Sequence, residues 1–318
     1  MKSIFASIPS PDANTWQLGI FQIRFYALFI ILGIILAVAV SALRLAKRKG
    51  NAGLAIDIGL WAIVFGIVGA RLYHVATHLN DYFGTGKDPI SALYIWQGGL
   101  AIYGGLLFGA LGAYIGCRIA GVKFFAYADA LVPGLLLAQA VGRWGNYFNN
   151  ELFGIPTDLP WGLEISVGNP AKPVGLPDSL TYHPTFLYES IWSLLGIAVL
   201  LWAEKRFNLQ WGRMFGAYLM YYSFGRVFIE SIRLDPAYVL FGVRLNVWSA
   251  VVGFAIGLIV FVFQGQKHTG IESTIYLPGR EPKVTQAESE EAVDETPEEF
   301  EYDSAGAPAN DALESKPE

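Results

Sequence analysis

The sequence predicts an all-α polytopic membrane protein of about seven transmembrane helices, with a small extracytoplasmic cap between spans four and five. Three observations carry that expectation. Of 318 residues, 53% are hydrophobic and 15% charged, whereas soluble domains carry about 25% charged residues, and mean hydropathy is +0.40. Apolar runs of the roughly 20 residues that a spanning helix needs recur along the chain. Charge is also segregated: residues 281–318 hold 13 of the 27 acidic and 2 of the 22 basic residues, leaving +6 on residues 1–280 and −11 on the remainder. Residues 1–270 thus read as a basic membrane body. Residues 271–318 read as an acidic cytoplasmic tail, disordered for want of apolar anchors, whose removal after about Gly270 is expected to leave activity intact.

The predicted spans are Leu18–Leu43, Ala55–His78, Gln97–Gly116, Phe125–Val141, Pro184–Trp202, Trp211–Ile232 and Asn246–Phe263. Met1–Pro11 has no adequate apolar region before its prolines, so the first span is expected to serve as the targeting signal. The third span is rich in glycine, which lets neighbouring helix backbones approach closely. A polar, Pro/Gly-rich stretch, Tyr147–His183, forms the expected cap. The single cysteine, Cys117, excludes an internal disulfide framework and sits in an apolar run, as a packing thiol would. His74 and His78 share a helix face, but no third metal ligand has convincing spacing.

Basic residues set orientation. Arg44, Lys47, Arg48 and Lys49 follow span one, Arg118 and Lys123 follow span three, and Lys205, Arg206 and Arg213 follow span five. Those loops and the tail belong inside the cell, and the N-terminus belongs outside. Arg143, Arg226 and Arg233 break the pattern at the outer ends of spans four and six. Ionisable groups at such depth persist mainly where they bind something.

Two stretches concentrate these groups. Gly142–Gly154, G-R-W-G-N-Y-F-N-N-E-L-F-G, packs an arginine, three asparagines, a glutamate and three glycines into an otherwise apolar region. In span six, Tyr222, Arg226, Glu230 and Arg233 lie at spacings of four, four and three, along one helix face. The bland reading of that row is a self-neutralising ion-pair ladder. The functional reading has Glu230 orienting Arg226 so that its planar donor fork meets a phosphate, with Arg143 as its partner and charge stabiliser. Glu151 then holds Arg143 or accepts a ligand hydroxyl, and Asn146 supplies amide groups. Gly142, Gly145 and Gly154 permit close approach or unusual backbone. Tyr26 reads as an interfacial anchor or a hydroxyl donor to substrate. Gln97 and Tyr103 are polar insertions that could line a cavity. His183 reads as a hydrogen-bonded residue before a helix.

Together these residues resemble the prolipoprotein diacylglyceryl transferase family. Gly142–Gly154 resembles the family signature G-R-x-G-N-F-x-N-x-E-x-x-G, with Tyr147 where phenylalanine is usual. The likeness continues through Pro156, Thr157, Trp161 and Gly162. His183–Glu189 resembles H-P-x-Q-L-Y-E, with Phe186 in the glutamine position, and the resemblance spans roughly residues 16–264. It implies catalytic roles for Arg143, Arg226, Tyr103 and Glu151. It implies substrate contacts at Tyr26, Gly98, Gly99, Gly104, Arg143, Asn146, Gly154, Tyr222 and Glu230. The implied reaction moves the diacylglyceryl group of phosphatidylglycerol to the lipobox cysteine of a prolipoprotein signal peptide, within the lipid bilayer. It needs no metal or redox cofactor and no nucleic-acid partner. Tyr103 departs from the family, many of whose members carry histidine there; an unperturbed tyrosine, with a pKa of about 10, is a poor base. A lipid transporter or flippase is the alternative, although no clear internal repeat of the transporter kind is present. A retinal protein would need a lysine in the last span, which has none.

Overall fold

The computed structural model describes residues 7–282, except 12, 20, 173 and 174. Among the described residues the helices are α1 (Phe25–Lys47), α2 (Leu54–Thr77), the short α3 (Leu79–Phe83), α4 (Ile102–Ile119), α5 (Phe124–Phe148), α6 (Thr185–Phe207), α7 (Arg213–Ile232) and α8 (Leu245–Lys267). Three antiparallel hairpins join them: β1 (Thr15–Leu18) with β2 (Phe21–Arg24), β3 (Leu163–Glu164) with β4 (Thr181–Tyr182), and β5 (Val239–Leu240) with β6 (Val243–Arg244). Six helices (α1, α2, α4, α5, α6 and α8) are long and apolar enough to cross a membrane, with mean hydropathies of 1.4 to 2.7. This is a polytopic membrane protein. Helix α7 has 20 residues but carries Arg213, Arg226 and Glu230, so length rather than composition makes it comparable to the six.

Small residues set the helix pairing. The Cβ that Gly134 lacks would lie 2.7 Å from the Ala37 carbonyl oxygen, bringing α5 onto α1. Gly104 meets the Gly69 carbonyl in the same way, closing α4 on α2, and Gly216 and Gly257 face each other between α7 and α8. Without water between lipid-facing helices, such close backbone contact takes over from the hydrophobic effect as the packing force. Helix α5 is the most buried of the six. Its Asp129 carboxylate accepts the backbone N–H groups of Gly212 and Phe215, each at 2.8 Å, and so fixes the start of α7. Cys117 is buried among Ile58, Ala55, Val122 and their neighbours.

Several boundaries differ from expectation. The first span begins at Phe25 rather than Leu18, because Thr15–Arg24 alternates apolar and polar residues and turns at Gly19 (φ 62°) into a hairpin. The third begins at Ile102, since Gly98 and Gly99 take positive φ values of 91° and 68°. The fourth continues to Phe148, so the first half of the Gly142–Gly154 stretch is helix rather than loop. Residues 149–184 are mostly non-helical and carry their own small core of Phe153, Leu163, Ile165 and Tyr182, packed against Phe186.

The compact body also runs past residue 270, to Arg280. Ile275 and Tyr276 are buried in the cluster that joins α1, α2, α4 and α5. The Ile275 carbonyl accepts from Lys123 N at 2.8 Å, Leu277 N donates to the Gly121 carbonyl at 2.7 Å, and Tyr276 OH accepts from Asn51 N at 3.2 Å. The first ten residues of the expected tail are therefore a strap. Residues 283–318 lie outside the described residues.

Candidate functional site

Helices α5, α6 and α7 bring three charged side chains together within the bundle. Arg143, near the end of α5, places Nη2 2.6 Å from Glu189 Oε2 on α6. Arg226, midway along α7, reaches the same oxygen at 3.4 Å. Both guanidiniums thus flank one carboxylate oxygen. Arg226 Nη2 also donates to Glu230 Oε2 at 2.6 Å, one turn along its own helix. Glu230 is fully buried and additionally accepts from Arg244 Nε at 2.7 Å and Asn246 Nδ2 at 2.9 Å. Arg233 pairs with Glu230 at 3.6 Å and with Asp235 at 2.6 Å, and Arg244 approaches Asp235 at 3.3 Å. Four arginines therefore interlock with three carboxylates, a net excess of one positive charge in that set.

Tyr103, on α4, joins from the far side. Its hydroxyl donates to Asn246 Oδ1 at 3.2 Å and lies 2.8 Å from Ser249 Oγ. On the α5 side, Arg143 Nη1 donates to Asn146 Oδ1 at 3.4 Å, and Asn146 Nδ2 donates to Glu151 Oε1 at 2.9 Å. Hydrogen bonds and the Arg143–Glu189 ion pair thus connect Tyr103 through Asn246, Glu230, Arg226, Glu189, Arg143 and Asn146 to Glu151.

Two cavities meet at Arg143 and Gln139. A small one, about 10 Å³, lies between Arg143, Glu189, Tyr222 and Arg226, a volume on the order of one water-sized sphere. The other, about 280 Å³, is a groove lined by Tyr26, Ile30 and Ile34 of α1, Ile102 of α4, and Ala138, Gly142 and Asn146 of α5. Tyr26, Ile30 and Ile34 are exposed on the outer face of the bundle, so the groove is apolar along its length and cationic at its end. Gly145 makes that end possible, since a Cβ there would lie 2.8 Å from Tyr26 Cδ2 and 3.2 Å from its Cα.

The structure brings together Arg143, Arg226, Tyr222, Glu230, Asn146, Glu151 and Tyr103, and it puts Tyr26 on the groove. Glu151 does not hold Arg143: Glu189 does, while Glu151 accepts the amides of Asn146 and Asn149, the latter at 3.3 Å. The remaining glycines have packing or turn geometry. The Gly98 and Gly99 carbonyls accept from Arg71 Nη1 at 2.6 and 3.1 Å. Gly104 abuts α2, and a Cβ on Gly154 would lie 2.7 Å from that of His183 and 2.9 Å from the Ile232 carbonyl. His183 Nδ1 lies 3.0 Å from Tyr188 OH, ahead of α6, as expected of a hydrogen-bonded residue there.

Three residues escaped the sequence reading. Glu189 appeared only as a motif member, Arg244 stood in an apparent loop, and Asn246 began a span. Each was a polar residue at the end of an apolar helix, and that signal marked them without naming their partners.

A family model described as prolipoprotein diacylglyceryl transferase matches residues 13–263. A phosphatidylglycerol–prolipoprotein diacylglyceryl transferase of Leifsonia xyli subsp. xyli is 50% identical over 301 residues, covering 91% of this chain and 90% of its own. One from Streptomyces coelicolor is 47% identical, covering 86% of each chain, and one from Paenarthrobacter aurescens is 47% identical over 80% of this chain and 82% of its own. With a match across the whole helical body and the interlocked arginines inside it, the chain belongs to the prolipoprotein diacylglyceryl transferase family.

Proposed function

We propose that this protein transfers the diacylglyceryl group of phosphatidylglycerol to the lipobox cysteine thiol of a prolipoprotein, the first step of bacterial lipoprotein maturation. The observation that carries the reading is the pair of guanidiniums, Arg143 and Arg226, flanking one oxygen of Glu189, with Arg143 also lining the apolar groove along α1. The excess positive charge of the surrounding set matches the single negative charge of a phosphodiester.

The acyl chains lie in the groove along α1, and the phosphate meets Arg143 and Arg226. The thiol loses its proton, because the thiolate is the nucleophile, and that proton balances the extra negative charge of the glycerol phosphate that departs. Sulfur attacks the glyceryl carbon that bears the phosphate ester, forming the C–S bond as the C–O bond breaks. The electron pair leaves with glycerol phosphate, and the two arginines stabilise the charge gathering there. Both are held by carboxylates, so their donors are positioned before substrate arrives. Glu230 and Glu189 position the arginines, Glu151 positions Asn146, and Tyr103 positions Asn246. Tyr222, beside the small cavity, reaches the phosphate side. Gly98, Gly99, Gly104 and Gly154 shape the surrounding backbone.

In this reading α7 is the seventh span. The hairpins and the 149–184 cap face outward with the N-terminus, and the basic loops and the acidic tail from 281 onward face the cytoplasm.

The test is transfer itself. Purified protein is incubated with labelled phosphatidylglycerol and a lipobox peptide, and label is expected on the peptide cysteine with glycerol phosphate released. Movement of lipid without a thioether product would favour a flippase. Arg143→Ala is expected to abolish transfer in protein that still inserts, and Arg226→Lys to lower kcat because an ammonium lacks the planar fork. Unimpaired transfer in Arg143→Ala refutes the arginine role.

A further inference from the structure

Beyond Phe148, where α5 ends, the described residues line a second large space, an open cleft of about 480 Å³. Asn14, Asn149, Asn150, Glu151, Ser166 and Asn169 are among its lining residues. It adjoins the arginine site through Glu151, which accepts Asn146 at 2.9 Å, which in turn accepts from Arg143 at 3.4 Å.

The lining segments are tied to one another. Asn150 Nδ2 donates to Ser166 Oγ at 2.7 Å, and Asn169 Nδ2 donates to the Asn150 carbonyl at 2.8 Å. Asn150 adopts a left-handed conformation, φ 54°, a strain that surrounding structure must hold in place. Its Oδ1 is buried and accepts no hydrogen bond from the described residues.

The lining chemistry narrows the ligand. Side-chain amides offer a donor and an acceptor side by side, which is what an extended peptide backbone offers in return. Among the described lining residues Glu151 is the charged one, and it repels a phosphate. The volume lies in the range of pockets for drug-sized ligands, well above what a glycerol fills. The acceptor peptide also has to leave the arginine site at this end of α5, since its cysteine reacts there and its chain continues outward.

We propose that this cleft binds the acceptor peptide in extended form on the C-terminal side of its modified cysteine, so that the enzyme reads residues beyond the lipobox. The inference rests on the transfer reading above and adds where the second substrate is held. The ligand is a peptide backbone, and its recognition runs through side-chain amides lining the cleft, those of Asn14 and Asn149, while Asn150 and Asn169 hold the cleft's shape.

The test uses the full-length protein with labelled phosphatidylglycerol and two lipobox peptides, one amidated at its cysteine and one extended by roughly four residues. Wild type is expected to favour the extended peptide by at least about fivefold in kcat/KM, expressed in KM as uniform binding requires. Ala171→Trp, at the exposed rim of the cleft, is expected to collapse that ratio towards one. Equal kcat/KM for the two peptides in wild type, or a ratio unmoved by the substitution, overturns the proposal. A second arm does not depend on how the variant folds. A benzophenone on the second residue after the cysteine is expected to cross-link wild type within 149–151 or 166–171. Cross-links confined to other segments, or cross-linking competed by glycerol phosphate but not by unlabelled peptide, overturn it as well. If wild type modifies neither peptide, the transfer reading itself fails.

Discussion

Glu189 is where residue-scale chemistry is decided. One oxygen of one carboxylate holds guanidiniums from two helices, so its charge fixes where both donor forks point. Glu189→Gln keeps the shape and removes the charge, and it is expected to lower kcat by about 100-fold, the scale of a roughly 1 Å misplacement. Steady-state kinetics with protein of normal thermal midpoint would check this. Arg143, Arg226 and Glu230 were legible in the sequence because ionisable residues stand out in apolar runs. The pairing was not, because a four-residue spacing reveals neighbours on one helix and says nothing of a carboxylate on another. Glu272 shows a different residue-scale effect, in the strap. Burial raises its carboxyl pKa above the ordinary value, while Lys123 at 3.5 Å and Arg48 pull it down. A carboxyl raised in the folded state stabilises docking most below its unfolded pKa of about 4.3 and loses that contribution as pH rises through the folded one. Hydrogen-exchange protection of 271–280 is thus expected to weaken as pH rises across that window, and Glu272→Gln to flatten the dependence.

At the scale of elements, the glycines decide which helices touch. Gly145→Ala would drive a methyl to within 2.8 Å of the Tyr26 ring and 3.2 Å of its Cα, prying α1 from α5 at the head of the groove. The expected cost is about 1–3 kcal/mol, as for other overpacked contacts, and a lower thermal midpoint with a raised KM for phosphatidylglycerol is the readout. Apolar run length made six of these helices legible from the sequence. It failed at their ends: Leu18–Arg24 looked like helix because hydropathy windows ignore alternation, and Gly142–Phe148 looked like loop because its polar residues mask a continuing helix. Both errors fall beside the site, where polar groups interrupt the membrane pattern.

For the whole molecule, the described fold is a helical bundle with a mostly non-helical segment, residues 149–184, after α5 and the strap at 271–280 packed on the cluster that joins α1, α2, α4 and α5. Truncation after Arg280 is expected to leave the thermal midpoint unchanged. Truncation after Gly270 strips Ile275 and Tyr276 from their cluster and is expected to lower it, with transfer lost in parallel on heating. Equal midpoints for the two truncations would remove the strap from the account. The tail's composition made its acidity plain, whereas the few apolar residues that dock it were too sparse to register as structure. The bridging carboxylate between the two guanidiniums has one more consequence. In the proposed reading it stays between them throughout turnover, so the two donor forks meet each incoming phosphate already aligned and no side chain has to reorder from one cycle to the next.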